Sequence, residues 1–321
     1  MNTELFFQLA VLTAGLICLW KGADLLVIGA VSVAKRLKIS EFIIGFTVLA
    51  LGTSLPELIV TIIALIEGQG DMIYGNVVGS NIANSTLILG AGAVIAPIGA
   101  LAQYRTHAGI NVCISLLAVL GCWAMILSPS THLAVGLSLL LFFAFSLWKL
   151  SNSRSDQTEE SNALSHPAHM LAHILIGMGL LYLGGEWLIQ SATQLAILWK
   201  LPEVVIGILV LAIGTSLPEL ITVIISARNR SAELVMGNIL GSNIFNITLV
   251  LGLSLSLEAL APPLSILEDL YILSGISIFL FYIILMKSRS DTPKAMSDIR
   301  RFQGILLLGL YFCYIAFTLG R

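Results

Sequence analysis

Residues 38–63 read KISEFIIGFTVLALGTSLPELIVTII, and residues 200–225 read KLPEVVIGILVLAIGTSLPELITVII. A second pair follows at the same spacing: GNVVGSNIANSTLILG at 75–90 and GNILGSNIFNITLVLG at 237–252. Between 38–90 and 200–252, 28 of 53 positions are identical without a gap. Apolar composition alone does not produce that. The chain is an internal duplication, and the repeat decides the architecture.

The surroundings of the repeat are those of a membrane protein. Of 321 residues, 57% are hydrophobic and 11% charged, with a mean hydropathy of +0.97. A soluble domain carries about 25% charged residues, so too few exist here to cover a surface facing water. Soluble enzymes, nucleic-acid binders and disordered proteins are excluded, and a net charge of −2 gives no attraction for polyanions. No Ser/His pair, HExxH or aspartate dyad stands in the apolar segments, so an intramembrane enzyme is not expected either. The lipid bilayer is the implied partner, and no protein partner is implied. Cys18, Cys113, Cys122 and Cys313 are scattered singly and read as small core residues. The first twenty residues lack a basic region and a cleavage site, and read as a first span.

Spanning takes roughly 20 apolar residues per helix. Splitting at polar breaks predicts an all-α polytopic fold of ten transmembrane helices, at about 5–33, 41–66, 72–97, 106–127, 132–150, 168–198, 203–227, 233–257, 265–286 and 302–320. The long unbroken runs exclude a barrel of alternating strands. Thirteen of the sixteen Lys and Arg residues fall in the loops after odd-numbered spans, among them Lys35, Arg36, Lys38, Arg105, Lys149, Arg228, Arg230 and Arg300. By the positive-inside rule those loops are cytoplasmic and both termini external. Span two then follows a cytoplasmic loop while its copy, span seven, follows an external one. The reading is 5+5 inverted-topology repeats: 1–150 (motif 38–90), a cytoplasmic linker at 151–167, and 168–321 (motif 200–252). Inverted repeats mark secondary transporters, whose sites lie near the midplane between the halves. His166, His169 and His173 at the linker exit lack a carboxylate or Cys companion and read as interfacial, as do Asp24 and its counterpart Glu186.

The repeated motifs carry oxygen chemistry. Pro56 and Pro218 remove a backbone donor and break their helices, beside the hydroxyls of Thr53, Ser54, Thr215 and Ser216. Broken backbone at membrane depth is tolerated where it is buried or lines a cavity. Each proline is followed by a glutamate, Glu57 or Glu219, at an insertion cost of roughly 2.5–3.5 kcal/mol at the bilayer centre. That cost favours function over a mere kink. In the second motif, Ser80 and Asn84 lie four apart on one helical face, as do Ser242 and Asn246. Asn76 and Asn238 extend those faces. Asn81 and Asn243 lie off them and read as structural. Gly75–Gly79 and Gly237–Gly241 permit close helix approach. Two carboxylates with neutral oxygens suit Ca²⁺, which takes six to eight oxygens. The same oxygens suit Na⁺, and the absence of His and Cys argues against a softer metal.

GTSLPEL with GNxxGSNxxN, both doubled, resembles the α-repeats of the sodium/calcium exchanger family, within the cation/Ca²⁺ antiporters. The resemblance covers the whole chain and is closest to compact prokaryotic members. It implies Na⁺/Ca²⁺ exchange across the cell inner membrane by alternating access, with no cofactor and with Ca²⁺ and Na⁺ bound as substrates. By matched position, Glu57 and Glu219 would be shared by Ca²⁺ and Na⁺, and Thr53 and Thr215 would offer carbonyls to Ca²⁺. Ala50, Ser54 and Ser80, with Ala212, Ser216 and Ser242, would line flanking Na⁺ sites. Asn84 and Asn246 would close the centre, and spans one and six would slide against the bundle. Several members carry Asp where this chain has Asn246, which limits the cavity to two negative charges and disfavours K⁺ co-transport. The alternative is H⁺/Ca²⁺ exchange, in which the two glutamates titrate as a coupled pair. Proton-coupled relatives place an acid where this chain has Gly79 and Gly241. A cation channel is the less favoured third reading.

Overall fold

The computed structural model describes residues 2–99, 104–151, 164, 166–199, 214–288 and 299–320, nearly all of them helical. The helices are α1 (Asn2–Leu37), α2 (Glu41–Thr53), α3 (Leu55–Ile66), α4 (Gly70–Ile95), α5 (Arg105–Leu127), α6 (His132–Ser151), α7 (Pro167–Leu198), α8 (Leu217–Arg228), α9 (Ala232–Leu257), α10 (Leu264–Ser288) and α11 (Arg301–Gly320). Among the described residues eight are long and apolar enough to cross a membrane, and α2 with α3, bent by 45° at their break, makes a ninth if the pair counts as one span. Helices are the expected solution, since hydrocarbon leaves each backbone group to find its partner within its own segment. The first eleven residues of the expected seventh span, 203–213, lie outside the described residues, as do most of the linker and Ala212.

The two copies of the second motif form the centre. In α9, 94% of the spanning window is buried inside the protein, and in α4 72%, against 22% for α6 and 17% for α11. The outer helices instead turn large apolar side chains outward, including Phe6, Leu127, Leu141 and Phe302, as lipid-facing surfaces require. Around α4 and α9 one continuous core gathers Tyr74, Val78, Ile82, Leu89, Ile114, Ile244 and Leu251. A second, smaller core joins Leu19, Leu26, Ile44, Ile174 and Ile225 where α1 and α7 meet α2 and α8.

α1 and α7 pack antiparallel along a seam of glycines. A Cβ at Gly15 would fall 2.9 Å from the Gly184 carbonyl oxygen, and one at Gly22 2.8 Å from that of Gly177. The reverse contacts, Gly177 on Gly22 and Gly184 on Gly15, are also 2.8 Å. Backbone meets backbone with no side chain between, which is how small residues bind transmembrane helices. Arg228 of α8 lies over the Trp20 ring of α1 at 5.2 Å, a cation–π contact between this pair and the bundle. Glu186, on the exposed face of α7, accepts from Gln190 at 3.0 Å. His166 caps α7 by accepting from the Ala168 N–H, and His173 bonds the His169 carbonyl.

The connections meet in two sets. Ile98 and Ile299 exchange two backbone bonds, at 3.1 and 2.9 Å. Leu164 N donates to Ser32, Phe42 N to Glu233 at 3.2 Å, and Ser231 to Glu41. In the expected span numbering, these contacts lie at or beside the loops that follow odd-numbered spans. The other set joins ends that follow even-numbered spans: Tyr74 to the Leu260 carbonyl at 3.1 Å, Trp123 to Tyr271 at 2.7 Å, and His132 to the Leu255 carbonyl at 2.9 Å.

Candidate cation site

The break between α2 and α3 falls at Ser54, with φ −86° and ψ 9°, and that before α8 at Ser216, with φ −89° and ψ 7°. The two copies of GTSLPEL thus turn the same corner. In each, the proline occupies the first turn of the new helix, where its missing N–H costs nothing. The glutamate follows directly, in the same first turn. There the helix dipole favours a negative charge. A carboxylate otherwise costly at membrane depth is held at two helix N-termini.

Both carboxylates are enclosed, Glu57 at 0% and Glu219 at 1% exposure. The serine of each copy reaches the glutamate of the other: Ser54 Oγ donates to Glu219 Oε1 at 2.8 Å, and Ser216 Oγ to Glu57 Oε1 at 3.4 Å. Ser80 of α4 approaches the same Glu57 oxygen at 3.5 Å. Thr53 donates its hydroxyl to Asn238 Oδ1 at 3.2 Å. Thr215 is buried within the second turn, and Ala50 is buried with its carbonyl accepting from Ser54 N at 3.0 Å.

The remaining predicted residues are defined by polar atoms that lack a partner. Glu57 Oε2, Glu219 Oε2, Ser242 Oγ and both amide atoms of Asn84 and of Asn246 are buried without a hydrogen bond. Buried polar groups are otherwise almost always satisfied. Oxygens left over in this way, around two carboxylates, are available to a cation, although unpartnered atoms also occur elsewhere, among them both His107 nitrogens, Thr222 Oγ1 and Ser274 Oγ. Among the described residues no group of three or more His, Cys, Asp or Glu could hold a metal ion.

Four features go beyond the sequence reading. Asn76, expected on the ligand face, donates instead to the Glu57 carbonyl at 3.0 Å and to Thr61 Oγ1 at 3.1 Å. Asn76 thus braces the glutamate's backbone, and Asn238, likewise expected on that face, braces Thr53. Asn81 and Asn243 tie the copies together: Asn81 donates to the Asn243 carbonyl and Asn243 to Ser85 Oγ, each at 2.9 Å. The glycine pairs also differ. Gly237 and Gly241 lie against the backbone of α2, with Cβ positions 2.5 Å from the Phe42 and Phe46 carbonyl oxygens, whereas Gly75 and Gly79 have no described neighbour within 4 Å. Finally, α2, α4 and α9 each contain a π-type widening, at Gly45–Leu49, Asn84–Ile88 and Phe245–Leu251. Such turns often occur at functional sites, and two of them include the orphan amides of Asn84 and Asn246.

A family model described as sodium/calcium exchanger protein matches residues 7–151 and 169–320. The chain belongs to the sodium/calcium exchanger family. It is 30% identical over 346 residues to the sodium/calcium exchanger MaX1 of Methanosarcina acetivorans, covering 95% of this chain and 96% of that one. It is 32% identical over 318 residues to the inner membrane protein YrbG of Escherichia coli, covering 96% and 95%. Among solved structures, the sodium-calcium exchanger NCX_Mj soaked with 10 mM Na⁺ and zero Ca²⁺ superimposes with a TM-score of 0.81. It is 30% identical to this chain, covering 97% of it and 99% of the exchanger. The family is one of membrane transporters, and the apolar helices of this chain mark it as a multi-pass membrane protein.

Proposed function

We propose that this protein is a Na⁺/Ca²⁺ antiporter of the cell inner membrane, working by alternating access at the site between its two copies. The observation that carries the reading is the reciprocal pairing of Ser54 with Glu219 and Ser216 with Glu57, around carboxylate and amide atoms that have no other partner. Glu57 and Glu219 neutralise one Ca²⁺, with the Thr53 and Thr215 carbonyls and the Asn84 and Asn246 amides completing its shell. Ser54, Ser80, Ser216 and Ser242, with the carbonyls of Ala50 and Ala212, hold Na⁺ in flanking positions. Ca²⁺ and Na⁺ compete for the glutamates, so each leaves to water on one side before the other binds, and the two bare carboxylates disfavour crossing of the empty carrier.

Ten spans in two inverted halves, 1–150 and 168–321, with both termini external, complete the proposal. The separation of loop contacts into an odd set and an even set supports it, as does the agreement between that division and the placement of Lys and Arg. In this reading the α1–α7 pair moves as one body past the site. With three Na⁺ per Ca²⁺ one net charge crosses in each cycle, worth about 2.3 kcal/mol per 100 mV, and exchange responds to voltage.

The test is ⁴⁵Ca²⁺ uptake into proteoliposomes loaded with Na⁺ and diluted into Na⁺-free medium, beside a pH-gradient arm. Uptake driven by the Na⁺ gradient is expected. Uptake driven only by the pH gradient would move the protein to proton coupling, and uptake needing neither would make it a channel.

A further inference from the structure

Behind the Asn81–Asn243–Ser85 tie lies a second polar feature, separate from the candidate cation site. A small cavity of about 20 Å³ opens between α4, α5, α9 and α10. Most of its wall is aliphatic, but Ser85, Asn111, Asn243 and Ser277 also line it, one from each helix. They are 2%, 6%, 4% and 7% exposed. A cavity needs about 10–15 Å³ to hold one water, which then needs two to four polar partners. Both conditions are met here.

The hydrogen-bond inventory points the same way. Asn243 spends its amide N–H on Ser85 Oγ, and its Oδ1 is buried without a partner. Ser85 accepts that bond and keeps its own proton to donate. Among the described residues Asn111 makes one long bond, 3.4 Å, from its amide to the His107 carbonyl. We propose that one buried water molecule occupies this cavity, donating to Asn243 Oδ1 and bonding Ser85, Asn111 and Ser277, so that it pins four helices at the tie between the two copies. Four neutral side chains with no carboxylate fit water, not a cation, which would bring an uncompensated charge into the membrane interior. Asn243 lies three residues before Asn246, so this water steadies the helix that presents the orphan amide to the ion site.

The direct test is a structure of the full chain at a resolution that shows internal waters, once in 100 mM Na⁺ and once in Na⁺-free buffer. A peak at about 2.6–3.2 Å from Asn243 Oδ1, present in both, is expected. No peak, or a peak present only with Na⁺, overturns the proposal. The second test compares Ser277→Val with Ser277→Ala in thermal unfolding. Valine displaces the water and strands Asn243, so its Tm should fall about 3 °C below that of the alanine variant. A rise in Tm with valine, as filling a dry void gives, also overturns it.

Discussion

Ser54 Oγ sits 2.8 Å from Glu219 Oε1, while the equivalent bond from Ser216 to Glu57 measures 3.4 Å. The two copies share one design but hold their carboxylates unequally. A hydrogen bond to a charged group contributes about 1.5–3 kcal/mol and weakens as it lengthens. Ser54→Ala should therefore weaken apparent ion affinity about tenfold or more, and Ser216→Ala by clearly less. Concentration dependence of ⁴⁵Ca²⁺ uptake in the two variants measures the difference. Equal losses would contradict it.

Neutralising either carboxylate should cost far more than losing a serine. Glu57→Gln and Glu219→Gln each leave one negative charge against a divalent ion, and Ca²⁺ uptake should fall to the level of empty liposomes. Calorimetric Ca²⁺ titration of the purified variants checks that binding is lost along with transport. Retained exchange in either would remove that residue from the site.

Asn246→Asp tests the charge count. A third carboxylate among the orphan oxygens should tighten Ca²⁺ binding about tenfold at alkaline pH, since ligand charge tunes affinity. On acidification the new acid takes a proton, and affinity should return to that of the parent protein. Ca²⁺ titrations at a series of pH values would show the divergence, and parallel curves for variant and parent would rule it out.

The glycine seam predicts a stability effect far from the ions. A side chain at Gly177 would meet the Leu26 N–H at 2.7 Å and the Gly22 carbonyl at 2.8 Å, whereas Gly179, two residues on, has nothing within 4 Å. Gly177→Val should destabilise by about 1–3 kcal/mol through overpacking and lower the Tm, while Gly179→Ala should leave it unchanged. Thermal unfolding of both in one detergent decides this.

Most of the spans, the breaks at Pro56 and Pro218 and the enclosure of both glutamates were legible in the sequence, because length, apolarity and backbone chemistry act locally. The start of the expected seventh span lies outside the described residues. The expected span 72–97 is α4 at Gly70–Ile95, and 106–127 is α5 at Arg105–Leu127. The division of labour among the asparagines was only partly legible. Asn81 and Asn243 fell off the ligand face and do serve as ties. Asn76 and Asn238 fell on that face, yet hold backbone and hydroxyl groups instead, because their fate depends on what lies across from them and not on periodicity. The π-type turns at Asn84 and Phe245 were hidden for a related reason. A face drawn at 3.6 residues per turn assumes the regularity that those turns break.

α1 is 36 residues long and α7 32, about 54 and 48 Å, against a hydrocarbon layer of about 30 Å. Helices of that length fit by leaning. Backbone contact at Gly15–Gly184 and Gly22–Gly177 leaves no side chain to yield, so the two lean together. Thinning or thickening the bilayer shifts the preferred angle of the whole pair, at fractions of a kcal/mol per Å of mismatch, and with it their stance against the ion site. Acyl-chain length is therefore expected to bias the stance of the pair, and exchange rates in liposomes of short and long acyl chains should differ.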